Sequence, residues 1–386
     1  MIYLDNASTT KIDPCVLDVM MPFLVDEYGN PGTVYGLGRR AKEAVERARQ
    51  QVARFVGADA ENIIFTSGGT EANNMVFASL LDFLGKSGKT HIITTKSEHI
   101  SVLGCARNLY IKHGFDLTEL PVSSGGSVEL RALQSVMRED TGLVSVMYMN
   151  NETGAENPVA GIGAVCRERG VLFHTDCVQA AGCCELDVEK IKCDFLSLSS
   201  HKIHGPKGVG ALYVRDVSKI SPLIYGGPAQ EFGFRGGTEN VAGIVGFGAA
   251  CELMHEHLIE IDAHNAALKQ GFYDSLVADL RERGLSGICH VNGDMVPGHG
   301  KTINLRFDDV DGETLLLMLD AKGVCVSSGS ACHSHESKPS HVLLAMGIDP
   351  EDARNSIRIS FSKMNTEREA DYAAHVIADS AAALHP

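Results

Sequence analysis

The sequence contains no tryptophan, and aromatic residues make up only 6% of its 386 positions. It has no apolar run long enough to cross a bilayer, so we expect no contact with a membrane. Its eleven cysteines include no C-x-x-C pair, which argues against a zinc ribbon or a thioredoxin-like redox helix. Neither a basic segment nor a long apolar stretch follows Met1, so we expect no signal or transit peptide. These absences together predict a cytoplasmic protein with reduced thiols.

Positive charge is also scarce, because the formal net charge is -15 at pH 7. This balance argues against a protein that binds nucleic acid by neutralising many phosphates, so no direct nucleic-acid partner is expected. The hydrophobic share of 44% and the charged share of 22% are those of an ordinary globular protein. A chain of this length exceeds the size at which one core stops growing, which predicts two domains or one large domain with an addition.

Apolar segments of strand length alternate with helical segments through the first half of the chain. This alternation predicts a mostly parallel sheet covered by helices on both faces, an α/β fold. A long helix, predicted over 241–283, leads to a smaller α+β unit. The predicted strands are His91 to Thr95, Leu143 to Met149, Val171 to His174 and Phe195 to Leu198, and the helices are near Ile100 to His113, Leu130 to Arg138 and Ile162 to Arg169.

Lys202 stands at the centre of the run Ser197-Leu-Ser-Ser-His-Lys-Ile-His-Gly-Pro-Lys-Gly208. A short buried strand precedes it, and Gly205-Pro206 turns the chain into the next strand. A lysine amine loses its proton readily when it is desolvated and can then bond a carbonyl carbon. The alternative is a surface lysine that closes a hairpin.

A second motif, Asn62-Ile-Ile-Phe-Thr-Ser-Gly-Gly-Thr-Glu-Ala-Asn73, is typical of a buried strand that passes through glycines into a helix. We expect the helix to start near Thr70. Free backbone amides and the positive end of the helix dipole make such a start a seat for phosphate. A helix cap that binds nothing is the alternative.

Polar residues follow each predicted strand, and in an open α/β sheet these positions meet at the carboxyl edge, where ligands bind. A phosphate site, an amine and a carboxylate at one edge favour pyridoxal 5'-phosphate as cofactor. Lys202 would hold it, Asp176 would pair with the pyridinium nitrogen, and His99 could lie on the ring and exchange protons. Taken singly, such an aspartate is often a helix cap and such a histidine a core residue. The residues concerned are Gly69, Thr70, His99, Asn151, Asp176, Gln179, Ser199, His201 and Lys202.

Cys332 lies in a run of small residues that extends from Gly323 to Pro339. Such a run has little to pack, which suits a thiol that must enter a pocket and leave with its cargo. An ordinary surface cysteine is the alternative. Cys332, His333 and His335 could also bind a metal, but no further ligand stands at structural spacing, so no resident metal is expected. Arg358, a cation inside an apolar strand, needs an anionic partner such as a substrate carboxylate.

Together these stretches resemble the cysteine desulfurases of the iron-sulfur-assembly class along the whole chain. The long Ser-Ser-Gly-Ser-Ala-Cys run is similar to that of the first of the family's two groups. The matching runs are Tyr3-Leu-Asp-Asn-Ala, Tyr28-Gly-Asn-Pro, Thr66-Ser-Gly-Gly-Thr-Glu-Ala-Asn-Asn74, Ser97-Glu-His, Asn150-Asn-Glu-Thr-Gly154, His174-Thr-Asp-Cys-Val-Gln179, Ser200-His-Lys-Ile-His-Gly-Pro-Lys-Gly208, Arg235-Gly-Gly-Thr238 and Ser327-Ser-Gly-Ser-Ala-Cys332.

The resemblance implies a fold type I pyridoxal-phosphate-dependent transferase, a homodimer that converts L-cysteine to L-alanine. Cys332 would attack the substrate sulfur, become a persulfide for a sulfur-acceptor protein, and could transiently ligate a shared cluster. Asn151 and Arg358 would hold the substrate carboxylate. The cofactor phosphate would be held by Gly69, Thr70, Ser199 and His201, with Thr238 from the partner subunit, while Gln179 would bond the phenolic oxygen.

The expected large domain, 14–255, carries a seven-stranded-type sheet, and 1–13 with 256–386 form the small domain that carries Cys332. Tyr35, Ser200 and Cys177 depart from residues common in the family without removing a catalytic role. The chain ends soon after its last helix, which leaves the acceptor open among cluster assembly, tRNA thiolation and DNA phosphorothioation. Two other functions stay open: another fold type I lyase or aminotransferase in which Cys332 is incidental, and a cofactor-silent scaffold that carries sulfur.

Overall fold

The computed structural model describes residues 1–296, 299–328 and 339–386. The strands are β1 (Ile2–Tyr3), β2 (Ile63–Thr66), β3 (His91–Thr95), β4 (Asp116–Leu120), β5 (Thr141–Ser145), β6 (Leu172–Asp176), β7 (Phe195–Ser199), β8 (Gly210–Val214), β9 (Cys289–Val291), β10 (Thr302–Phe307), β11 (Val324–Cys325) and β12 (Ser356–Ser360). The helices are α1 (Pro14–Val25), α2 (Gly36–Val56), α3 (Gly69–Ser87), α4 (Ile100–His113), α5 (Leu130–Val136), α6 (Val159–Glu168), α7 (Val188–Ile191), α8 (Val241–Glu282), α9 (Gly312–Ala321), α10 (His341–Ala345), α11 (Pro350–Arg354) and α12 (Glu367–Leu384).

A seven-stranded sheet, ordered β2-β8-β7-β6-β5-β3-β4, forms the larger part of the molecule. Its strands are parallel except for β8, which runs antiparallel to both of its neighbours. The predicted mostly parallel α/β sheet is therefore confirmed.

Two sequence-based expectations about this sheet were wrong. Strand β4 was missed, because Asp-Leu-Thr-Glu-Leu lies at the sheet edge, is only partly buried and lacks an apolar run. Strand β5 was placed over 143–149, but it spans Thr141–Ser145. Val146 and Tyr148 continue the apolar run, but the amide of each bonds a single carbonyl of the 174–176 segment outside the ladder. Hydrophobicity alone could not distinguish these two situations.

Alternate residues of the sheet enter opposite cores, as expected of strands covered on both faces. Val144 and Phe173 pack with Val45 and Val52 of α2 on one face. Their neighbours in the strands pack with α3 and α4 on the other face. The carboxyl ends of β3, β5, β6 and β7 are thereby held at one edge.

Helix α8 links this layer to a second core. Phe247 and Met254, near its start, belong to the core of the large sheet. Phe272 and Leu276, further along, pack instead with the three-stranded antiparallel sheet β12-β10-β9 and with α12. The helix runs without interruption for 42 residues, because it is apolar toward two different cores in succession.

The N-terminal arm joins the smaller unit. Strand β1 pairs in parallel with β11, and Asp5 bridges to Ser360 at the end of β12. The amide of Ala7 donates to Ser360 Oγ at 2.8 Å. This pairing carries residues 5–9 to the carboxyl edge of the large sheet. Within the described ranges, none of the helices combines the length and the apolar character required to cross a membrane.

Candidate active site

One cavity at the carboxyl edge of the large sheet collects nearly all of the residues singled out from the sequence. Its wall also includes Ala7 and Ser8 of the N-terminal arm. The predicted residues in its lining are Gly69, Thr70, His99, Asn151, Asp176, Gln179, Ser199, His201, Lys202 and Arg358. These ten residues come from the short loops after β2, β3, β6 and β7, from the longer loop after β5, and from β12 of the smaller unit. The fold therefore brings residues from six parts of the chain to one cavity.

Lys202 presents a largely buried amine to this cavity. Its Nζ donates to the carbonyl oxygens of Ala7 and Ser8, each at 2.7 Å. Burial, and then the positive charges of Arg358 and Lys301, lower the pKa of the Lys202 amine to about 8. A substantial neutral fraction is thus present at mildly alkaline pH, and a neutral amine is the form that attacks a carbonyl carbon.

Asp176 is a buried carboxylate at the end of β6, with 5% of its surface exposed. Its Oδ2 accepts a hydrogen bond from Asn73 Nδ2 at 2.7 Å, and its Oδ1 accepts one from the amide of Val178 at 3.0 Å. These two bonds fix the plane of the carboxylate. A charge held in this way can pair with a protonated ring nitrogen.

His99 caps the start of α4 with its own ring. Its Nδ1 accepts from the amide of Ser101 at 3.2 Å and lies 2.7 Å from Ser101 Oγ. Acceptance from a backbone amide assigns the neutral ring's hydrogen to Nε2. Burial lowers the pKa of His99, Asp176 opposes this shift, and Lys202 adds to it. The ring is therefore neutral at pH 7.

The start of α3 forms the anion-binding end of the cavity. Gly68 precedes the helix with a φ of 150° and, as a glycine, offers no side chain to cap the first amides. A Cβ on Gly69 would come within 2.6 Å of Val178 Cγ2, so only glycine lets the chain pass here. An adjoining cavity is lined by the same glycines together with Thr70, Ser199 and Lys207. Free amides, hydroxyls and one lysine make this corner suitable for a phosphate.

His201 lies at the same corner, with Nδ1 3.0 Å from Thr9 Oγ1. Burial and the neighbouring charges of Lys202, Lys207 and Lys301 lower the pKa of His201 to about 4. The imidazole is therefore neutral at pH 7 and can act as a hydrogen-bond donor without adding charge.

Arg358, on β12 of the smaller unit, lines the cavity. Its guanidinium donates to the carbonyl of Asn151 at 2.9 Å, to Asp5 Oδ1 at 2.7 Å and to Ser8 Oγ at 2.6 Å. Among the described residues, its buried Nε has no hydrogen-bond partner. A buried donor without a partner is costly, and an incoming anion could satisfy it.

Several residues that shape the cavity were not assigned a role from the sequence. Asn73 orients Asp176, Asp5 pairs with Arg358, and the carbonyl of Ala7 accepts from both Lys202 and Gln179 Nε2. All three stand inside the motif runs quoted above, at 3–7 and 66–74. The polar residues of those runs were therefore the available signal.

One predicted residue in the described ranges, Thr238, is not brought into the cavity. Thr238 lines a separate cavity with Arg235, Glu231 and Asn240 in this chain. Cys332 lies outside the described residues.

Comparisons with known proteins agree along the whole chain. The family model for aminotransferase class-V matches residues 2–372. A cysteine desulfurase from Nostoc sp. is 44% identical over 370 residues, which are 96% of this chain and 90% of the relative. A solved structure described as a NifS-like protein is 38% identical, with a TM-score of 0.88 and 98% of each chain covered. A second, described as SspA in complex with cysteine, is 32% identical with a TM-score of 0.81, covering 95% of this chain and all of the other.

The family match over nearly the full length, and identities above 30% at this coverage, settle the relationship. The fold of the NifS-like structure is also the fold found here. The chain therefore belongs to the class-V aminotransferase family and, within it, to the cysteine desulfurases.

Proposed function

We propose that this enzyme uses pyridoxal 5'-phosphate to convert L-cysteine to L-alanine and transfers the sulfur to Cys332 as a persulfide. The observation that carries the proposal is the buried amine of Lys202, whose pKa is lowered to about 8, in one cavity with Asp176 and an uncapped helix start. These three groups match the aldehyde, the ring nitrogen and the phosphate of the cofactor. The donor set therefore fits this group.

When bound, the cofactor supplies an aldehyde that bonds amines and a ring that accepts electrons from the substrate carbon. Lys202 would hold the aldehyde and afterwards move protons between its Nζ and the substrate. Asp176, oriented by Asn73, would keep a proton on the ring nitrogen by its charge. Neutral His99 would stack and exchange protons through Nε2. The phosphate would be held by Gly69, Thr70, Ser199 and His201, and the phenolic oxygen by Gln179.

Arg358 and Asn151 would hold the carboxylate of L-cysteine. The unpartnered Nε of Arg358 supports this role, because it offers a donor that Asp5 and Ser8 leave free. The Cys332 thiolate would then attack the substrate sulfur, and a sulfur–sulfur bond would form as the carbon–sulfur bond breaks. L-cysteine and the Cys332 thiol thus give L-alanine and a Cys332 persulfide, which balances all atoms.

The activity is tested by measuring alanine and sulfide released from L-cysteine by the purified protein, with and without a thiol reductant. Intact mass should show one added sulfur in the absence of reductant. In Cys332→Ser the added sulfur and the sulfide should disappear, whereas the matched variant Cys325→Ser should retain both. A Cys332→Ser enzyme that still desulfurates free cysteine would instead favour a lyase in which this thiol is incidental.

The same proposal includes a homodimer. Thr238 lines a cavity apart from the Lys202 cavity in its own chain, so a contribution to the phosphate would come from a second copy. Sedimentation of the holoenzyme at micromolar concentration should give twice the mass of 41.4 kDa. A monomer with full activity would remove Thr238 from the site.

We also propose a division into two domains, a cytoplasmic location and a sulfur-acceptor protein. We place the domain boundary within α8, so that 14–255 form the cofactor-binding domain and 1–13 with 256–386 form the small one. The passage of α8 from one core to the other supports this division. The enzyme would act in the cytoplasm and pass its sulfur to an acceptor protein. Transfer of ³⁵S from the persulfide to a cluster scaffold, a tRNA thiolation enzyme or a DNA phosphorothioation enzyme would distinguish the acceptors.

A further inference from the structure

A second group of chemically active side chains lies outside the cofactor cavity. The carboxylate of Glu156, the Sγ of Cys184 and the ring nitrogen of His299 all lie within 4.8 Å of one another. Cys184 Sγ is 3.8 Å from His299 Nε2, and the same nitrogen is in close contact with Glu156 Oε1. One ring nitrogen carries at most one hydrogen and cannot serve both neighbours. Three donor atoms therefore converge on one point.

The orientation of His299 is fixed from its other side. Asp262 on α8 has its Oδ2 2.6 Å from His299 Nδ1, and its Oδ1 accepts from the amide of Gly300 at 3.0 Å. Lys269 donates to the carbonyl of His299 at 2.5 Å and so holds the backbone. A carboxylate on one imidazole nitrogen, with the other nitrogen turned toward a thiol and a second carboxylate, is the arrangement that supports metal-binding histidines.

The three residues come from distant parts of the chain. Glu156 lies in the loop after β5, Cys184 follows β6 and packs in the core of the large sheet, and His299 precedes β10 of the small sheet. Because 28 and 115 residues separate them in sequence, their spacing does not match a metal-binding motif and could not predict the cluster. An ion bound by all three would connect the two layers close to the start of β10.

We propose that Glu156, Cys184 and His299 form a binding site for a divalent transition metal, for which zinc best suits the donors. Sulfur, imidazole nitrogen and carboxylate oxygen are the ligands that zinc takes in proteins. One thiolate and one carboxylate would neutralise the two charges of the ion. The thiol proton and the proton shared between His299 Nε2 and Glu156 would both leave to solvent. This proposal departs from the expectation of no resident metal that the sequence supports.

The distances require only a small adjustment. Donors about 2.0–2.3 Å from a tetrahedral zinc lie about 3.3–3.8 Å apart. The contact between Glu156 and His299 would open, and the outer limit of 4.8 Å would close, each by about one ångström. Glu156 and His299 are partly exposed, so water can complete the fourth position.

Cys184, His299 and Asp262 could instead be regarded as a nucleophile, a base and its orienting acid. The thiol of Cys184 is 5% exposed, however, and Glu156 already contacts the nitrogen that would serve as base. A substrate would therefore have little access to this sulfur. The geometry therefore favours a bound ion over a second reactive thiol.

The test uses the holoenzyme carrying Cys332→Ser, so that the Cys332 thiol does not contribute to metal binding. After treatment with a chelator and dialysis against buffered zinc, metal analysis should find one zinc per chain. X-ray absorption should show one sulfur at about 2.3 Å. Adding Cys184→Ser should weaken the retention of zinc at least tenfold, whereas Cys193→Ser, which removes a buried thiol outside the cluster, should leave it unchanged.

Glu156→Gln is the second variant, because its partly exposed position lets the fold persist if Cys184→Ser does not. It should weaken zinc retention in the same direction. The proposal is overturned if the Cys332→Ser enzyme retains no zinc, if neither variant changes the zinc content, or if the bound zinc shows no sulfur neighbour. Because none of these readouts depends on turnover, they are independent of the proposed desulfurase reaction.

Discussion

One largely buried lysine, Lys202, lines the candidate active-site cavity, and another, Lys269, lies beside the Glu156–Cys184–His299 cluster; the two amines differ in what surrounds them. Burial lowers the pKa of both Lys202 and Lys269. Lys202 bonds two carbonyls of the N-terminal arm at the wall of an open cavity. Lys269 bonds two carbonyls of the 296–299 loop. A lowered pKa is thus shared by a lysine that lines an open cavity, for which we propose a catalytic role, and by one that holds backbone.

Removing each amine in turn tests whether Lys202 and Lys269 differ in function, and it should give the largest effect. Lys202→Ala should lower desulfurase turnover by about 10³-fold, because covalent attachment and proton transfer are both lost. Lys269→Met should keep turnover within about twofold while lowering the melting temperature, since two bonds to backbone are lost. Alanine release and thermal unfolding of both variants provide the measurement. Loss of turnover in a folded Lys269→Met enzyme with bound cofactor would contradict the distinction.

Two further variants separate the contribution of the Asp176 charge from that of its orientation by Asn73. Asp176→Asn should lower turnover about 100-fold, because the pairing of a charge with the ring nitrogen is worth about 3 kcal/mol. Asn73→Ala should lower it only about tenfold, since it frees Asp176 without removing the charge. The ratio of the two rates, with cofactor content measured by absorbance, provides the check. Equal losses would mean that orientation matters as much as charge.

The pH dependence of cofactor uptake tests whether the pKa of Lys202 is lowered in the folded protein. The neutral amine of Lys202 is the reactive form, and its pKa is about 8. The rate of reconstitution of the cofactor-free protein should therefore rise about tenfold per pH unit below pH 8 and level off above it. Stopped-flow absorbance over this range measures the rate. A profile that keeps rising to pH 10 would indicate an amine that burial has not perturbed.

A buried acid beside the cavity, Glu98, should affect stability rather than turnover. Glu98 accepts from the amide of Met147 at 2.8 Å, and its Oε2 has no partner among the described residues. Burial raises the pKa of Glu98 from 4.5 to about 8. The folded state therefore holds a proton that the unfolded state releases above pH 4.5, and stability should fall as pH rises from 4.5 to 8.

Glu98→Gln removes this titration while keeping the shape of the neutral acid. The slope of unfolding free energy against pH between 4.5 and 8 should become flatter, by about 1 kcal/mol per pH unit. Urea unfolding at several pH values provides the measurement, with Glu61→Gln, an exposed residue, as the control. An unchanged slope would mean that the folded protein does not hold this proton on Glu98.

Much of the fold and of the cavity could be predicted because the signals are local. The buried strands alternate with helices, and the polar residues directly follow them, so that parallel packing alone brings Lys202, Asp176 and His99 to one edge. Strand β4 could not be predicted, because its pairing with β3 at the edge of the sheet, and not its own composition, makes it a strand. The antiparallel direction of β8 was not predicted from the sequence; the connection over 200–209 returns the chain alongside β7.

Local patterns in the sequence were enough to predict the α/β class, a phosphate site at the start of α3 and a reactive amine at Lys202, since each prediction depends on residues close together in the chain. Only the tertiary structure decided that the N-terminal arm would place Asp5, Ala7 and Ser8 against Arg358 and Lys202. It alone also brought Glu156, Cys184 and His299 within reach of one ion. Both assemblies join segments separated by tens to hundreds of residues, and such contacts depend on how the layers pack, which no local pattern encodes.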